Sequence, residues 1–220
     1  MTAADARTGD PTRTFDLIVV GAGHAGVEAA AAAARLGARS ALLTGNLDTI
    51  AKMSCNPAVG GMAKGQLARE VDALGGLMGR ATDACGIQFR TLGRSKGPAM
   101  WSPRAQCDKT LYSIWMKEAI EACRGVLPIQ GDVVDLERSA DGAIAGVRLR
   151  DGRVYRAPRV VLTTGTFLGG LLHQGETRTD GGRMGCPPAQ GITARLRDWG
   201  LRIVRQKTGT PMRVHADSVD

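Results

Sequence analysis

Residues 15–26, FDLIVVGAGHAG, join a buried-strand signal, a glycine turn and a helix start within a dozen positions, and this succession constrains the fold more than any other stretch. Leu17, Ile18, Val19 and Val20 form a short apolar run rich in β-branched residues, the pattern of a strand covered on both faces. Gly21, Gly23 and Gly26 then fit G-x-G-x-x-G. The first glycine allows a tight turn, the second leaves room for a close ligand, and the third lets helix and strand pack together. Residues 27–36 follow as an alanine-rich helix stopped by Gly37, and residues 40–44 return as a second apolar strand within the usual βαβ length.

Glycine turns are common in a chain with 30 glycines in 220 residues, so the pattern alone is weak. The strand before it, the helix after it and the returning strand decide the reading. Gly21, Ala22, Gly23, His24, Ala25 and Gly26 form the pyrophosphate cradle of a dinucleotide, facing the free N–H groups of a helix N-terminus. His24, at the helix start, reads as positional rather than catalytic. Hydrophobic residues at 43% and charged residues at 23% exclude bulk disorder, and aromatics at 4% make the core aliphatic. A net charge of +8 favours an anionic partner such as a nucleotide or nucleic acid, although the scattered arginines also fit a solvated basic surface.

Cys55, Cys85, Cys107, Cys123 and Cys186 are odd in number and lack C-x-x-C spacing. Neither a disulfide framework nor a metal site is expected, and a reducing cytoplasm fits best. No apolar run approaches the ~18 residues of a membrane span. Residues 1–14 lack the apolar core of a secretory signal and are expected to be a disordered tail, with organelle import left open.

After the second strand the βαβ alternation breaks into an insertion over about residues 46–103. Its first loop presents Cys55 and Asn56 beside glycine-rich backbone; residues 62–74 then have helical spacing, with Met62, Leu67, Val71 and Leu74 expected as a core stripe. The stretch 90–103 carries Arg90, Arg94, Lys96 and Trp101, able to hold phosphates and stack a ring, or else to form a solvated loop anchored by Trp101. Residues 104–123 are expected as a helix with Leu111, Ile114, Trp115, Ala119 and Ile120 on its apolar side. Strands follow at 126–130 and 131–136, then a hairpin of 143–150 and 152–155 turned at Asp151-Gly152, then a buried strand at 159–164. A parallel sheet interrupted by an antiparallel hairpin is more typical of flavin-binding folds than of simple dehydrogenases. Residues 175–191 read as a polar loop, 191–200 as a short amphipathic helix, and the end as a loop exposing Lys207 and Arg213. The expected fold is α/β, a Rossmann-like FAD/NAD(P)-binding domain over 15–220 with an antiparallel β-hairpin insertion, incomplete at its C-terminus.

The motifs VVGAGHAGVEAA, NLDTIAKMSCNPAVGGMAKGQLAREVDALGG, SKGPA, RAQCD, VVLTTGTFL, GGRMG and KTGTPMR, in this order, closely resemble the N-terminal third of the MnmG (GidA) family. That resemblance implies an FAD-dependent enzyme that adds an aminomethyl-type group to carbon 5 of the tRNA wobble uridine. It also implies a homodimer that works with an MnmE-type GTPase and uses methylenetetrahydrofolate as one-carbon donor, NADH as reductant, and glycine or ammonium. By motif, residues 21–26 would hold the FAD pyrophosphate, Val133 would meet the adenine through its backbone, and Cys55 matches one of two cysteines implicated in catalysis. Ala189 stands near the flavin where some relatives have serine. An acidic residue usually binds the ribose about 20 positions after the glycines; here Asn46 or Asp48 would have to substitute.

Lys52 and Lys64 near Cys55, and a helix N-terminus expected to follow it, would favour a thiolate. Such a thiolate would add to carbon 6 of the uracil or carry a proton. Arg90, Arg94, Lys96, Lys207 and Arg213 are expected near the tRNA or the folate. A small-molecule flavin oxidoreductase and a non-catalytic flavin-binding scaffold are the competing functions.

Overall fold

The computed structural model describes residues 13–210 and 214–219. In chain order the elements are β1 (Leu17–Val20), α1 (His24–Arg35), β2 (Ser40–Thr44), β3 (Ala58–Gly60), α2 (Lys64–Ala73), α3 (Leu77–Cys85), β4 (Gly86–Leu92), β5 (Ser102–Cys107) and α4 (Lys109–Glu121). Then come β6 (Val126–Gln130), β7 (Val133–Arg138), β8 (Ile144–Leu149), β9 (Val154–Arg156), β10 (Val160–Leu162), β11 (Leu171–Gln174), β12 (Thr177–Asp180) and α5 (Ile192–Asp198).

Four parallel strands in the order β10-β1-β2-β6 form the central sheet. The period-2 alternation of a strand decides what each side buries. Val19 and Leu42 face α1, α3 and α4, while Ile18, Val20, Ala41 and Leu43 face the antiparallel meander β7-β8-β9 with Val147, Leu149 and Tyr155. All six strand residues are buried, and each of the larger ones stabilises the fold by about 1.5–3 kcal/mol. Because β2 lies on one side of β1 and β10 on the other, the strand order reverses at β1. In an open α/β sheet the carboxyl end of that switch point is where ligands bind, and it is where residues 21–26 lie.

The parallel sheet, the glycine turn, α1, β6 and the meander match the sequence expectation. Within the expected 1–14 tail, Arg13 and Thr14 are held against β9, with Thr14 bridging Arg156; residues 1–12 lie outside the described residues.

The structure departs from the sequence expectation in three places. Residues 104–123 are not one helix, because β5 occupies Ser102–Cys107 and the Asp108 carboxylate caps α4, accepting from the N–H groups of Thr110 at 2.8 Å and Leu111 at 2.9 Å. The inner face of α4 is Tyr112, Met116 and Ile120, at helical i, i+4 spacing, whereas Leu111 and Ile114 are exposed. The expected core stripe of residues 62–74 is also overturned, since Met62, Leu67 and Leu74 are exposed. What docks α2 is Gly65: a Cβ there would lie 2.6 Å from the Pro103 carbonyl, so the helix backbone rests on β5 and needs no apolar stripe. Finally, the expected loop of residues 90–103 contains the end of β4 and the start of β5, and the expected polar loop of residues 175–191 contains β12, paired antiparallel with β11. Strands of Thr, Arg and Asp carry no apolar alternation by which to be recognised.

Candidate dinucleotide and thiol site

The turn after β1 is built from the ends of three strands. Gly21 donates its N–H to the Leu43 carbonyl at 2.8 Å, and the Thr163 hydroxyl, just past β10, bonds the carbonyls of Val20 at 3.0 Å and Gly21 at 2.8 Å. Gly21 has φ +102°, and a Cβ on it would lie 2.5 Å from the Thr163 carbonyl oxygen. A Cβ on Gly26 would overlap the Gly21 carbonyl. Both glycines are therefore demanded by the protein itself. Gly23 is not: its φ is −74°, and a Cβ there would find nothing within 4 Å. No side chain caps α1, and its first turn contains no acidic residue. An open Gly23 before an uncapped helix N-terminus is a cradle for an anion, and a dinucleotide pyrophosphate fits it.

His24 is half-buried, its ring 5.6 Å from that of Tyr112. Burial lowers its pKa, so it is neutral at pH 7 and presents no cation to the cradle. Burial likewise pushes the Tyr112 phenol up, and its hydroxyl has no hydrogen-bond partner among the described residues.

At the end of β2, Asn46 is occupied as the cap of a short helical turn, accepting from the Asp48 N–H at 2.8 Å. Asp48 pairs with Lys117 at 2.8 Å, which holds its carboxyl below the usual range. A different carboxylate fills this corner. A Cβ on Gly45 would lie 2.7 Å from Oδ1 of Asp132, which follows β6. Sequence reasoning passed over Asp132; its only signal was a lone acid at the end of a parallel strand.

Val133 is buried opposite Leu149 in β8. Ala189 is half-buried, its N–H bonded to the Phe167 carbonyl at 2.8 Å and its carbonyl accepting from Gly169 at 3.0 Å. One junction links the segments carrying these two residues. Gly191, at φ +96°, lies against the Val134 carbonyl, and Arg195 of α5 grips Asp135 of β7 through two bonds of 2.6 Å.

Cys55 is exposed, whereas Cys85 and Cys107 are buried. Its loop is pinned on both flanks: Ala51 donates to the Ala22 carbonyl at 2.8 Å, and the Pro57 carbonyl accepts from Cys107 at 2.7 Å. The Cys55 Sγ lies 3.7 Å from the carbonyl of Gly209, and Ser54 Oγ lies 3.4 Å from Arg183. The expected helix N-terminus does not follow directly, because β3 intervenes before α2 begins at Lys64.

The basic residues divide. Arg90 is in β4 and Arg94 and Lys96 in a short helical turn, which Trp101 anchors by donating Nε1–H to the Arg94 carbonyl at 3.2 Å. Lys207 is exposed on the segment that brings Gly209 to Cys55, and Arg213 lies outside the described residues. Among the described residues no His, Cys, Asp and Glu cluster is placed to hold a metal, and no helix is long and apolar enough to cross a membrane.

The family model for glucose inhibited division protein A matches residues 16–220. The chain belongs to that family. Among curated GidA relatives, the tRNA uridine 5-carboxymethylaminomethyl modification enzyme MnmG of Rhodopirellula baltica is 54% identical over 215 residues, covering 94% of this chain and 33% of the relative. The enzyme of the same name from Porphyromonas gingivalis is 55% identical over 206 residues, again covering 94% and 33%. This chain thus spans about a third of the length of the relatives it matches. Aquifex aeolicus GidA in its form II crystal superposes with a TM-score of 0.87 at 47% identity, covering 92% of this chain and 34% of that one. The GidA-related protein of Thermus thermophilus, at 23% identity and a TM-score of 0.65, shares the fold.

Proposed function

We propose that the full-length protein is an FAD-dependent enzyme that modifies carbon 5 of the tRNA wobble uridine, and that this chain supplies the FAD pyrophosphate cradle and one reactive thiol. The observation that carries the reading is the open Gly23 before the uncapped start of α1, four positions beyond β1 in a chain of the GidA family. The names of its relatives support the tRNA substrate.

When bound, FAD would supply electron transfer, with NADH as the reductant. Residues 21–26 would hold its pyrophosphate through backbone N–H groups. Val133 would meet the adenine, Ala189 would lie near the flavin, and Asp132 would take the ribose-binding role expected of an acid at the end of β2. Neutral His24 keeps the helix start in place by packing on Tyr112. Cys55, exposed on a loop whose start is bonded to Ala22 of the cradle, would act on the uracil. In the additive route sulfur bonds to carbon 6, the ring π pair moves toward carbon 5 to attack the one-carbon unit, and loss of the carbon-5 proton expels the thiolate. In the alternative it carries a proton.

Methylenetetrahydrofolate, glycine or ammonium, an MnmE-type GTPase, a homodimer and a cytoplasmic location complete the reading and rest on the family resemblance. The deciding experiment is expression of the full-length protein in cells lacking the wobble-uridine modification, with tRNA nucleosides measured by mass spectrometry. Restored modification is expected. An FAD-loaded protein that oxidises small molecules yet restores nothing would overturn it in favour of a small-molecule oxidoreductase.

A further inference from the structure

Arg183, in the segment after β12, reaches across to the loop of Cys55. Its Nη1 donates toward Ser54 Oγ at 3.4 Å, 129 positions away, and its Nη2 donates toward Cys186 Sγ at 3.4 Å, so one guanidinium spans two segments. The Phe167 ring lies 5.7 Å beneath it. Arg183 is half-buried, yet among the described residues no carboxylate pairs with it. Both acceptors are neutral and both contacts are long, so the fork contributes little to stability. What it does supply is direction, because a planar guanidinium fixes two acceptors at once.

The base of this fork is rigid. Cys186 donates its N–H to the Arg183 carbonyl at 2.9 Å, and Gly182 donates to the Cys186 carbonyl at 3.3 Å, closing a turn at residues 182–186. A Cβ on Gly182 would overlap the Phe167 ring, so the turn lies flush on that side chain, and the Thr166 hydroxyl bonds the Gly182 carbonyl. Phe167 in turn accepts the N–H of Ala189. The Cys55 loop is held differently. It is bonded at Ala51 and Pro57, and between these points Ser54 and Cys55 are both exposed. The Ser54 hydroxyl donates within the loop to the Lys52 carbonyl at 3.3 Å, which leaves its oxygen free to accept from Arg183. Arg183 thus takes hold of the residue immediately before the thiol, from a segment anchored to Ala189.

We propose that Arg183 is a positioning residue for Cys55: it grips Ser54 and so sets where the neighbouring thiol stands relative to the segment of Phe167 and Ala189. This rests on the reading of Cys55 as the reactive thiol.

The test uses full-length protein carrying Arg183→Met, Arg183→Lys, Ser54→Ala and the Arg183→Met/Ser54→Ala pair, with tRNA modification as the assay. FAD content and melting temperature are measured alongside. Arg183→Met keeps the length of the side chain and removes every donor. It is expected to lower kcat by about 10–10²-fold, the cost of a small misplacement of a reacting group, with KM for tRNA, FAD content and melting temperature near wild type. Arg183→Lys, a cation without the fork, should recover only part of the loss. Ser54→Ala should lower kcat as well, and the double variant should be no slower than the slower single one, because both changes remove the same contact. Losses that multiply in the double variant would place the action of Arg183 elsewhere and overturn the proposal. A raised KM with kcat unchanged would make Arg183 a substrate contact, and a fall in FAD content or melting temperature matching the lost rate would make it merely structural; either overturns it. Full turnover by Arg183→Met while Cys55→Ser is inactive would overturn the positioning role alone. Full turnover by Cys55→Ser would overturn the thiol reading, and this proposal with it.

Discussion

Ala51 donates its backbone N–H to the carbonyl of Ala22 over 2.8 Å, fastening the loop that carries Cys55 to the turn between β1 and α1. Ile50 and Ala51 are fully buried, and the Ser113 hydroxyl bonds the Ile50 carbonyl at 2.7 Å, so the fastening point is itself fixed. The loop that carries the thiol therefore leaves from a rigid base beside residues 21–26.

Gly23 and Gly26 should separate when mutated. Gly23→Val in the full-length protein is expected to abolish the flavin absorbance of the purified protein while leaving its melting temperature near that of FAD-stripped wild type, because only a ligand contests that space. Gly26→Ala forces a methyl into the Gly21 carbonyl and should cost at least about 1–3 kcal/mol of stability. Equal flavin content in wild type and Gly23→Val would refute the assignment of the cradle.

Replacing Cys55 by serine is expected to preserve FAD content and tRNA affinity while reducing modification by about 10²–10⁴-fold. Cys123→Ser, at another incompletely buried cysteine, serves as the control and should be near neutral. Wild-type turnover by Cys55→Ser would remove that thiol from the mechanism.

His24 gives a stability signature with a definite sign. Its pKa in the folded protein lies below the ordinary 6.5, so between the two values the unfolded chain binds more protons. The contribution is fully present above pH 6.5 and is lost as pH falls through the folded value. Thermal melts from pH 7.5 to 5 should show this decline in wild type, and His24→Gln should flatten it. Parallel pH profiles for both proteins would contradict a half-buried neutral imidazole.

The Asp135–Arg195 clamp joins the meander to α5. Both side chains are partly exposed, which limits the pair to about 1 kcal/mol despite its two short bonds. Asp135→Asn should lower stability by about that amount at pH 7. Arg195 holds the Asp135 carboxyl below 3.8, so the wild-type advantage persists above pH 3.8 and fades as pH falls below it toward the folded value. Denaturant melts at pH 7 and pH 3 check this, with an equal difference at both pH values as the contrary result.

How much of this was legible in the sequence varies with the kind of force involved. Val19 and Leu42 announce a buried parallel sheet because apolar runs have no other use at that length, and Gly21, Gly23 and Gly26 announce the turn because each lacks a side chain for a distinct steric reason. The stripe assigned to α2 failed because Gly65 docks that helix by backbone approach, which leaves Leu67 outside. The helix assigned to 104–123 failed at Asp108, whose capping role competes with the helical spacing of the residues before it. Thr163 and Asp132 were passed over for a different reason: each matters through a neighbour far away in sequence, Gly21 and Gly45, and no local pattern encodes that pairing.

The bond from Thr163 to Gly21 spans 142 positions, and β1 pairs with β10 over a similar separation. During synthesis at about 5–20 residues per second, β1 and α1 leave the ribosome roughly 7–28 s before β10 can join them. Until then the nascent glycine turn lacks the hydroxyl that braces it, and one edge of β1 stands open. Contacts this distant in sequence form slowly and leave strand edges exposed to mispairing. The turn of residues 21–26 therefore matures well after its own residues are translated, and a chain halted before residue 160 would emerge with its most diagnostic motif intact in sequence but unfinished in space.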